Sequence, residues 1–211
     1  LDSNKPAVVE VISDVNASAT CFYINASGIT LDCQGYLINY SQTAAGNAIV
    51  IATNNNSITV KNCNIAEGQR GVSSNAISLP GNNDFNVIDN NTIFLKNSSS
   101  DGIVISTSTS TGNNITNNNI TSGWKGAASI GMTIVGNSNR IEANNITTQT
   151  QVVLVLDLQG ASNLVKNNRV IHVTPSGSAL NAQGGGITIQ GGDFNNVTNN
   201  TIEVNQSTFG S

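Results

Sequence analysis

"GMTIVGNSNRIEANNI", residues 131–146, sets four large apolar side chains among polar ones at fixed distances. Met132 and Ile134 stand two apart, and Ile141 and Ile146 stand five apart with "ANN" at 143–145 between them. The arrangement returns downstream as "GITIQGGDFNNVTNNTI", residues 186–202. Apolar residues two apart mark a strand with one buried face. An interval of five is odd, so a straight strand would send its two ends to opposite faces. Both ends point inward only if the chain bends between them. Asparagine suits such a bend, because it tolerates the left-handed region and bonds locally to the backbone.

Anchoring on Ile146, the equivalent residues are Ile38, Ile65, Ile93, Ile120, Ile146, Val170 and Ile202, spaced by 27, 28, 27, 26, 24 and 32 residues. Five residues before the anchor stand Val60, Ile88, Ile115, Ile141, Val165 and Val197, with Cys33 in that place in the first repeat. Further upstream come the alternating pairs Ile49/Ile51, Ile77/Leu79, Ile103/Ile105, Met132/Ile134, Leu156/Leu158 and Ile187/Ile189. Two residues before the anchors stand Cys63, Asn91, Asn118, Asn144, Asn168 and Asn200. Stacked in register, the five asparagines form a ladder whose amides bond coil to coil. A period of this length with short strands and several bends is solenoid logic. No apolar pattern of period 3.6 outlasts a turn, so the repeat is not helical. An antiparallel sandwich leaves the repeated order of pair, bend, residue, bend and anchor unexplained. A parallel β-helix of about seven coils accounts for it, each coil giving three short strands stacked at about 4.8 Å.

The bulk numbers agree with a scaffold. The chain has 211 residues, 38% hydrophobic and only 9% charged, with 35 asparagines, 20 glycines and a formal charge of −4. There is no basic patch to hold a phosphate backbone, which argues against a nucleic-acid partner. No apolar run approaches the roughly 20 residues of a membrane helix. N-x-S/T sequons are abundant, at Asn16, Asn25, Asn39, Asn97 and Asn205 among others, and with scarce lysine they fit a secreted or cell-surface protein. The opening "LDSNKPAVVEV" lacks an initiator Met and reads as a mature or excised segment of a larger exported protein. The expected organisation is one domain over 1–211, with a cap region over 1–20, coils over 21–204 and a tail over 205–211.

"GITLDCQGYLI" at 28–38, preceded by Cys21, together with the later "G-I-x-I…N-x-I-x-N-N-x-I" coils, resembles the right-handed parallel β-helix repeat proteins. That group includes pectate-lyase-like folds and carbohydrate-binding and sugar-hydrolase β-helix domains, NosD-like ones among them. The resemblance covers roughly 21–204 and implies an all-β right-handed solenoid; one such fold hosts many activities. It also implies a disulfide between Cys21 and Cys33 that staples the first coil, with Cys33 to Cys63 across adjacent coils as the rival pairing.

Catalysis on this scaffold needs carboxylates facing one cleft, or calcium carboxylates with an Arg or Lys base. No D-D pair occurs, nor the "NTD", "GHG" or "RIK" sets of polygalacturonase-like members, so no family catalytic residue maps onto the chain. Asp157 lies between Leu156 and Leu158, where alternation turns it outward as a solvated surface group, with a ligand contact as the alternative. Arg140 and Arg169, beside the inward Ile141 and Val170, read as a small charged stripe with Glu142 and Lys166 and, with Asp157, as candidate ligand or partner contacts. His172 and Met132 are the only residues of their kinds, Met132 in a core slot, so no metal site and no cofactor is expected. Trp124, the only tryptophan, sits in the excursion "TSGWKGAAS" at 121–129 and is a candidate to stack on a sugar ring or dock a partner, the alternative being a ring folded over a neighbouring loop. Tyr36 and Tyr40 read as packing at the end of the first coil.

The expected function is a non-enzymatic extracellular or cell-surface module, structural, adhesive or assembling. Its expected contacts, to itself or to adjoining domains, run through the coil ends, with carbohydrate as the ligand class left open. The rival is a polysaccharide-active lyase, hydrolase or epimerase. After Ile202 only "EVNQSTFGS" remains, too polar to cover a coil.

Overall fold

The computed structural model describes residues 7–68, 74–96, 100–123, 129–149, 154–174 and 185–206. Every paired strand is parallel to its neighbours, and the described strands form three sheets of eight, eight and seven. The chain visits the three sheets in turn, so each coil adds one strand to each. The first coil is Ala7–Glu10, Val15–Asn16 and Phe22–Ile24, and the eighth ends with Asn196–Thr198 and Thr201–Gln206. This is an all-β right-handed parallel β-helix of seven full coils and part of an eighth. At about 4.8 Å per step it is roughly 34 Å long.

The apolar columns stand in register. Ile38, Ile65, Ile93, Ile120, Ile146, Val170 and Ile202 pair in sequence along the second sheet. Val60, Ile88, Ile115, Ile141, Val165 and Val197 do so along the first. The alternating pairs, Met132 with Ile134 among them, line the inside of the third. Ile88, Ile115, Ile141, Ile146 and Met132 are fully buried. Each such side chain contributes about 1.5–3 kcal/mol by leaving water, which is why 38% hydrophobic content suffices when all of it is phased.

Two local expectations need correction. Cys33 does not occupy the first-sheet column; Leu31 pairs with Val60 there. The bend after Leu31 is two residues longer than its successors, and Gln34 and Gly35 take up the surplus with φ of 51° and 82°. The segment expected as a cap over 1–20 supplies two strands of the first coil, parallel to Ile29–Asp32 and Leu37–Tyr40. The described coils therefore start at 7, not 21.

Candidate functional site

Two kinds of bend carry the ladders, and they share one local grammar. At the bend from first to second sheet, a left-handed residue (Asn62, Asn90, Asn117, Ala143, Asn167, Asn199) precedes the buried slot. In that slot, Asn118 donates its N–H and Nδ2 to Asn144 Oδ1 at 2.9 and 3.0 Å, and Asn144 does the same to Asn168 Oδ1 at 2.9 and 3.0 Å. Asn91 and Asn168 continue the run towards Asn118 and Asn200. Each amide also donates to a carbonyl one coil back, as Asn144 Nδ2 does to Ile115 O at 2.9 Å. The Cys63 N–H starts the series on Asn91 Oδ1.

A second ladder, not foreseen, runs through the bend from third to first sheet. Asn86 N–H donates to Asn113 Oδ1, Asn113 to Asn139, Asn139 to Asn163 and Asn163 to Asn195, at 2.8–2.9 Å. Its signal was in plain sight. These asparagines also stand two residues before an inward Ile or Val, and they too follow a left-handed residue, among them Phe85, Gly112 and Ser138. At the third bend Thr20, Asn47, Asn75 and Asp101 form a shorter, partly exposed series with the opposite sense: Asn75 N–H donates back to Asn47 Oδ1 at 2.7 Å.

The cysteines pair otherwise than the resemblance implied. Cys33 and Cys63 are bonded across adjacent coils, with Cα atoms 4.7 Å apart, and Cys21 is free. Both partners sit in the same type of bend, one coil above the other, which brings them together. Cys21 stands just before the first third-sheet strand, where its thiol meets the Asn39 carbonyl. Burial pushes that thiol up to about 11.

The residues weighed as contacts lie on different faces. Arg140 is on the first sheet, where it donates to Glu142 Oε2 at 2.6 Å. Lys166 stands 4.0 Å from the other carboxylate oxygen. The hydrogen bond from Arg140 holds the Glu142 carboxyl below its ordinary value. A polar groove runs here past Asp89, Asn114, Thr116 and Asn117. Arg169 is on the second sheet, paired with Glu203 at 2.9 Å. The expected common stripe of Arg140 and Arg169 does not exist, because 29 residues is one coil plus the step to the next sheet.

Asp157 is on the third sheet, between Thr133 and Thr188 as its register required. It is not a solvated group: only 1% of it is exposed. Val50, Ser78 and Val104 in the same outward column are buried as well. Alternation fixes the direction in which a side chain leaves the strand; it does not fix whether that side is open. Gln159 Nε2 donates to Asp157 Oδ2 at 2.6 Å, while Oδ1 and the neighbouring Thr133 hydroxyl have no partner among the described residues. Burial, with Asp157 as a further charge, raises the carboxyl of Asp101. Trp124 lies outside the described residues.

Sequence reasoning also passed over a polar column inside the second sheet. Tyr40, Glu67, Ser122, Thr148 and His172 all face the core. Lys96 N–H at 2.8 Å and the Ser100 hydroxyl at 2.5 Å donate to the Glu67 carboxylate. Thr148 meets His172 Nδ1 at 3.2 Å, and burial lowers the pKa of that imidazole. Tyr40 is thus a core residue and Tyr36 an exposed one.

No group of three His, Cys, Asp or Glu placed to hold a metal occurs among the described residues. No helix among them is long and apolar enough to cross a membrane. At the last coil the inward columns emerge: Val197, Ile202 and Val204 are 37%, 49% and 57% exposed.

The family described as "Right handed beta helix region" matches residues 47–210. No curated protein and no solved structure matches the chain. With the match spanning well over half of the sequence and the three parallel sheets stacked as such a fold requires, the chain belongs to the right-handed β-helix family.

Proposed function

We propose that the chain is a non-enzymatic structural module of an extracellular or cell-surface protein, a stiff spacer that meets its neighbour through a coil end. The observation that carries this reading is the last coil, where Val197, Ile202 and Val204 stay open although their counterparts one coil earlier are closed. A solenoid face of that kind is stable in water only when something packs on it, whether a further stretch of the same polypeptide or another molecule. The absence of convergence supports the same reading: Arg140, Asp157 and Arg169 belong to three separate sheets. The Cys33–Cys63 disulfide and the many sequons fit an oxidising, exported setting.

The test pairs two measurements. A dye that fluoresces on apolar surface should bind the chain and lose most of its signal in Val204→Glu with an unchanged melt. A polysaccharide screen should release neither reducing ends nor unsaturated products. Product formation sinks the reading, and so does a dye signal indifferent to Val204.

One observation favours the rival, polysaccharide-active reading: the buried Asp157, whose Oδ1 has no partner among the described residues, and Asp101, whose carboxyl is raised by burial and by the charge of Asp157. Activity in the screen that disappears in Asp157→Asn would establish it.

A further inference from the structure

The first sheet and the bends on both sides of it lie wholly within the described residues. The outward column along its middle runs Glu10, Asp32, Lys61, Asp89, Thr116, Glu142, Lys166 and Thr198, one residue per coil at steps of about 4.8 Å. Charge is uneven along it. Asp32, Lys61 and Asp89 leave an excess of acid, whereas Glu142 and Lys166, with Arg140 in the column beside them, leave an excess of base. Such a strip is complementary to its own reverse. Let two copies lie face to face, rods antiparallel, about a twofold axis parallel to the strands and passing between Asp89 and Thr116. Lys61 then meets Glu142 of the second copy, Asp32 meets its Lys166, and Asp89 meets its Thr116. The flanking column sets Thr59 against Arg140 and Val87 against Asn114, so no like charges oppose each other. A shift of one coil loses this. In one direction Lys61 meets Lys166 and Asp89 meets Glu142; in the other Asp32 meets Glu142 and Asp89 meets itself. Rods laid in the same direction about a lengthwise twofold set every charge against its own copy.

Shape agrees with charge. Asn62, Asn90, Asn117, Asn167 and Asn199 occupy the left-handed corner beside this column, but Ala143 takes that place between Asn117 and Asn167. The small side chain leaves room in a groove of about 480 Å³ lined by Asp89, Thr116, Arg140, Glu142 and Ala143. In the antiparallel register Lys61 and Asn62 of the second copy stand over Glu142 and Ala143, at that groove.

We propose that the first-sheet face pairs laterally with the same face of a second copy of this chain, rods antiparallel, Lys61 of each entering the groove beside Ala143 of the other. The residues that carry this, from Asp32 to Lys166, stay clear of the first and last coils, so the pairing is independent of what covers the coil ends. Over those six coils the strip measures about 29 Å by 10 Å, roughly 300 Å² on each side, against about 800 Å² in a standard complex. Pairing through exposed charges over so small an area is weak and sensitive to salt. It takes effect where copies are held side by side, the arrangement a cell-surface module meets.

The test is sedimentation of the 211-residue chain at near-millimolar concentration. Self-association is expected at low salt and should weaken on the order of tenfold at high salt. Lys61→Glu alone and Glu142→Lys alone should each weaken it on the order of tenfold or more, because each sets like charges together twice. An equimolar mixture of these two variants should regain it, since the reversed pair on one side and the native pair on the other are both complementary. Ala143→Asn completes the row of corner amides without touching a charge; it should weaken pairing severalfold at an unchanged or higher melting temperature. A native chain that stays monomeric at low salt overturns the proposal. Association indifferent to the two reversals overturns it too and places the contact elsewhere, as does a mixture that stays monomeric while both variants melt like the native chain. Should a reversed variant melt early, Ala143→Asn decides alone, and undiminished association then overturns the pairing.

Discussion

Replacing Asn144 by alanine tests the ladder as a stabilising device. Asn144 Oδ1 accepts from Asn118 N–H and Nδ2 at 2.9 and 3.0 Å, and its Nδ2 donates to Ile115 O, Glu142 O and Asn168 Oδ1 at 2.9, 3.1 and 3.0 Å. After truncation the Asn118 amide keeps Ile88 O, and Asn168 Oδ1 keeps the Asn144 N–H. The Asn118 N–H keeps nothing among the described residues. One buried N–H left without a partner costs about 1–3 kcal/mol, and the other lost bonds add about 1 kcal/mol each where no replacement exists. The expected loss is about 3–5 kcal/mol, or roughly 6–20 °C in melting temperature for a chain of this size. Asn119→Thr serves as control. Asn119 faces outward in a column that already holds Thr92, and its change should stay within about 0.5 kcal/mol. Because a solenoid need not unfold in one step, amide hydrogen exchange should accompany the melt. In Asn144→Ala the Asn118 amide should exchange far faster, while those of the first three coils hardly change. If the two variants melt alike and the Asn118 amide stays protected, the ladder is a consequence of the stacking and not a cause of its stability.

Asp101→Asn should stabilise the chain at pH 7. Asn47 and Asn75 already fill that column, and Asn keeps the acceptor for the Ile130 N–H. Burial raises the carboxyl of Asp101 above its unfolded value, so the folded state holds the extra proton between the two values and stability falls as pH rises through that window. The gain should vanish at pH 3, where both states are protonated; a lower melt for Asp101→Asn at pH 7 refutes the account. Cys33→Ala with Cys63→Ala should cost about 3–4 kcal/mol from loop closure over a separation of 30 residues, and reduction of the native chain should reproduce that loss in a denaturant melt. Alkylation without reductant should label Cys21 alone, and in the folded chain at pH 8 on the order of a hundredfold more slowly than a free thiol, given a value of about 11. Gly160→Ala would drive its Cβ against the carbonyl oxygens of Val135 and Gly136 one coil away, backbone atoms that cannot swing aside. A loss of about 1–3 kcal/mol is expected by chemical denaturation, and a neutral result would mean the third-sheet bends are more pliant than their stacking suggests.

The coil count, the three columns and the phase of every coil from the third onward were legible in the sequence, because each depends on spacing alone. Asn139 and Asn163 show where reading stopped short. They obey the same rule as Asn144 and Asn168, but the bend before Ile141 varies in length from coil to coil, so their spacing from the Ile146 column gives no constant period. The second coil departs from the spacing for a related reason: the surplus taken up at Gln34 and Gly35 moves Cys33 out of the apolar column and beside Cys63. Asp157 and Glu67 mark a different limit. Period two tells which way a side chain points, and neither the closed outward column around Asp157 nor the hydroxyl and N–H that hold Glu67 inside leaves a periodic trace.

The bends differ in one more respect. From Val60 to Ile65, and in every later coil, the first-to-second-sheet corner keeps the same five-residue step, whereas the path from the second sheet to the third runs from ten residues (Ile93 to Ile103) to seventeen (Val170 to Ile187). A residue added at the ladder corner would shear two sheets out of step. The same residue added on the variable path leaves both asparagine ladders in register and meets only the shorter series through Thr20, Asn47, Asn75 and Asp101. The third-to-first-sheet path varies less, from seven residues (Ile134 to Ile141) to ten (Ile105 to Ile115), so extra chain has one main longitudinal seam in which to accumulate, with successive insertion points about 4.8 Å apart. For grafting foreign loops, that seam is a ruled line on which position is set by coil number and content is free.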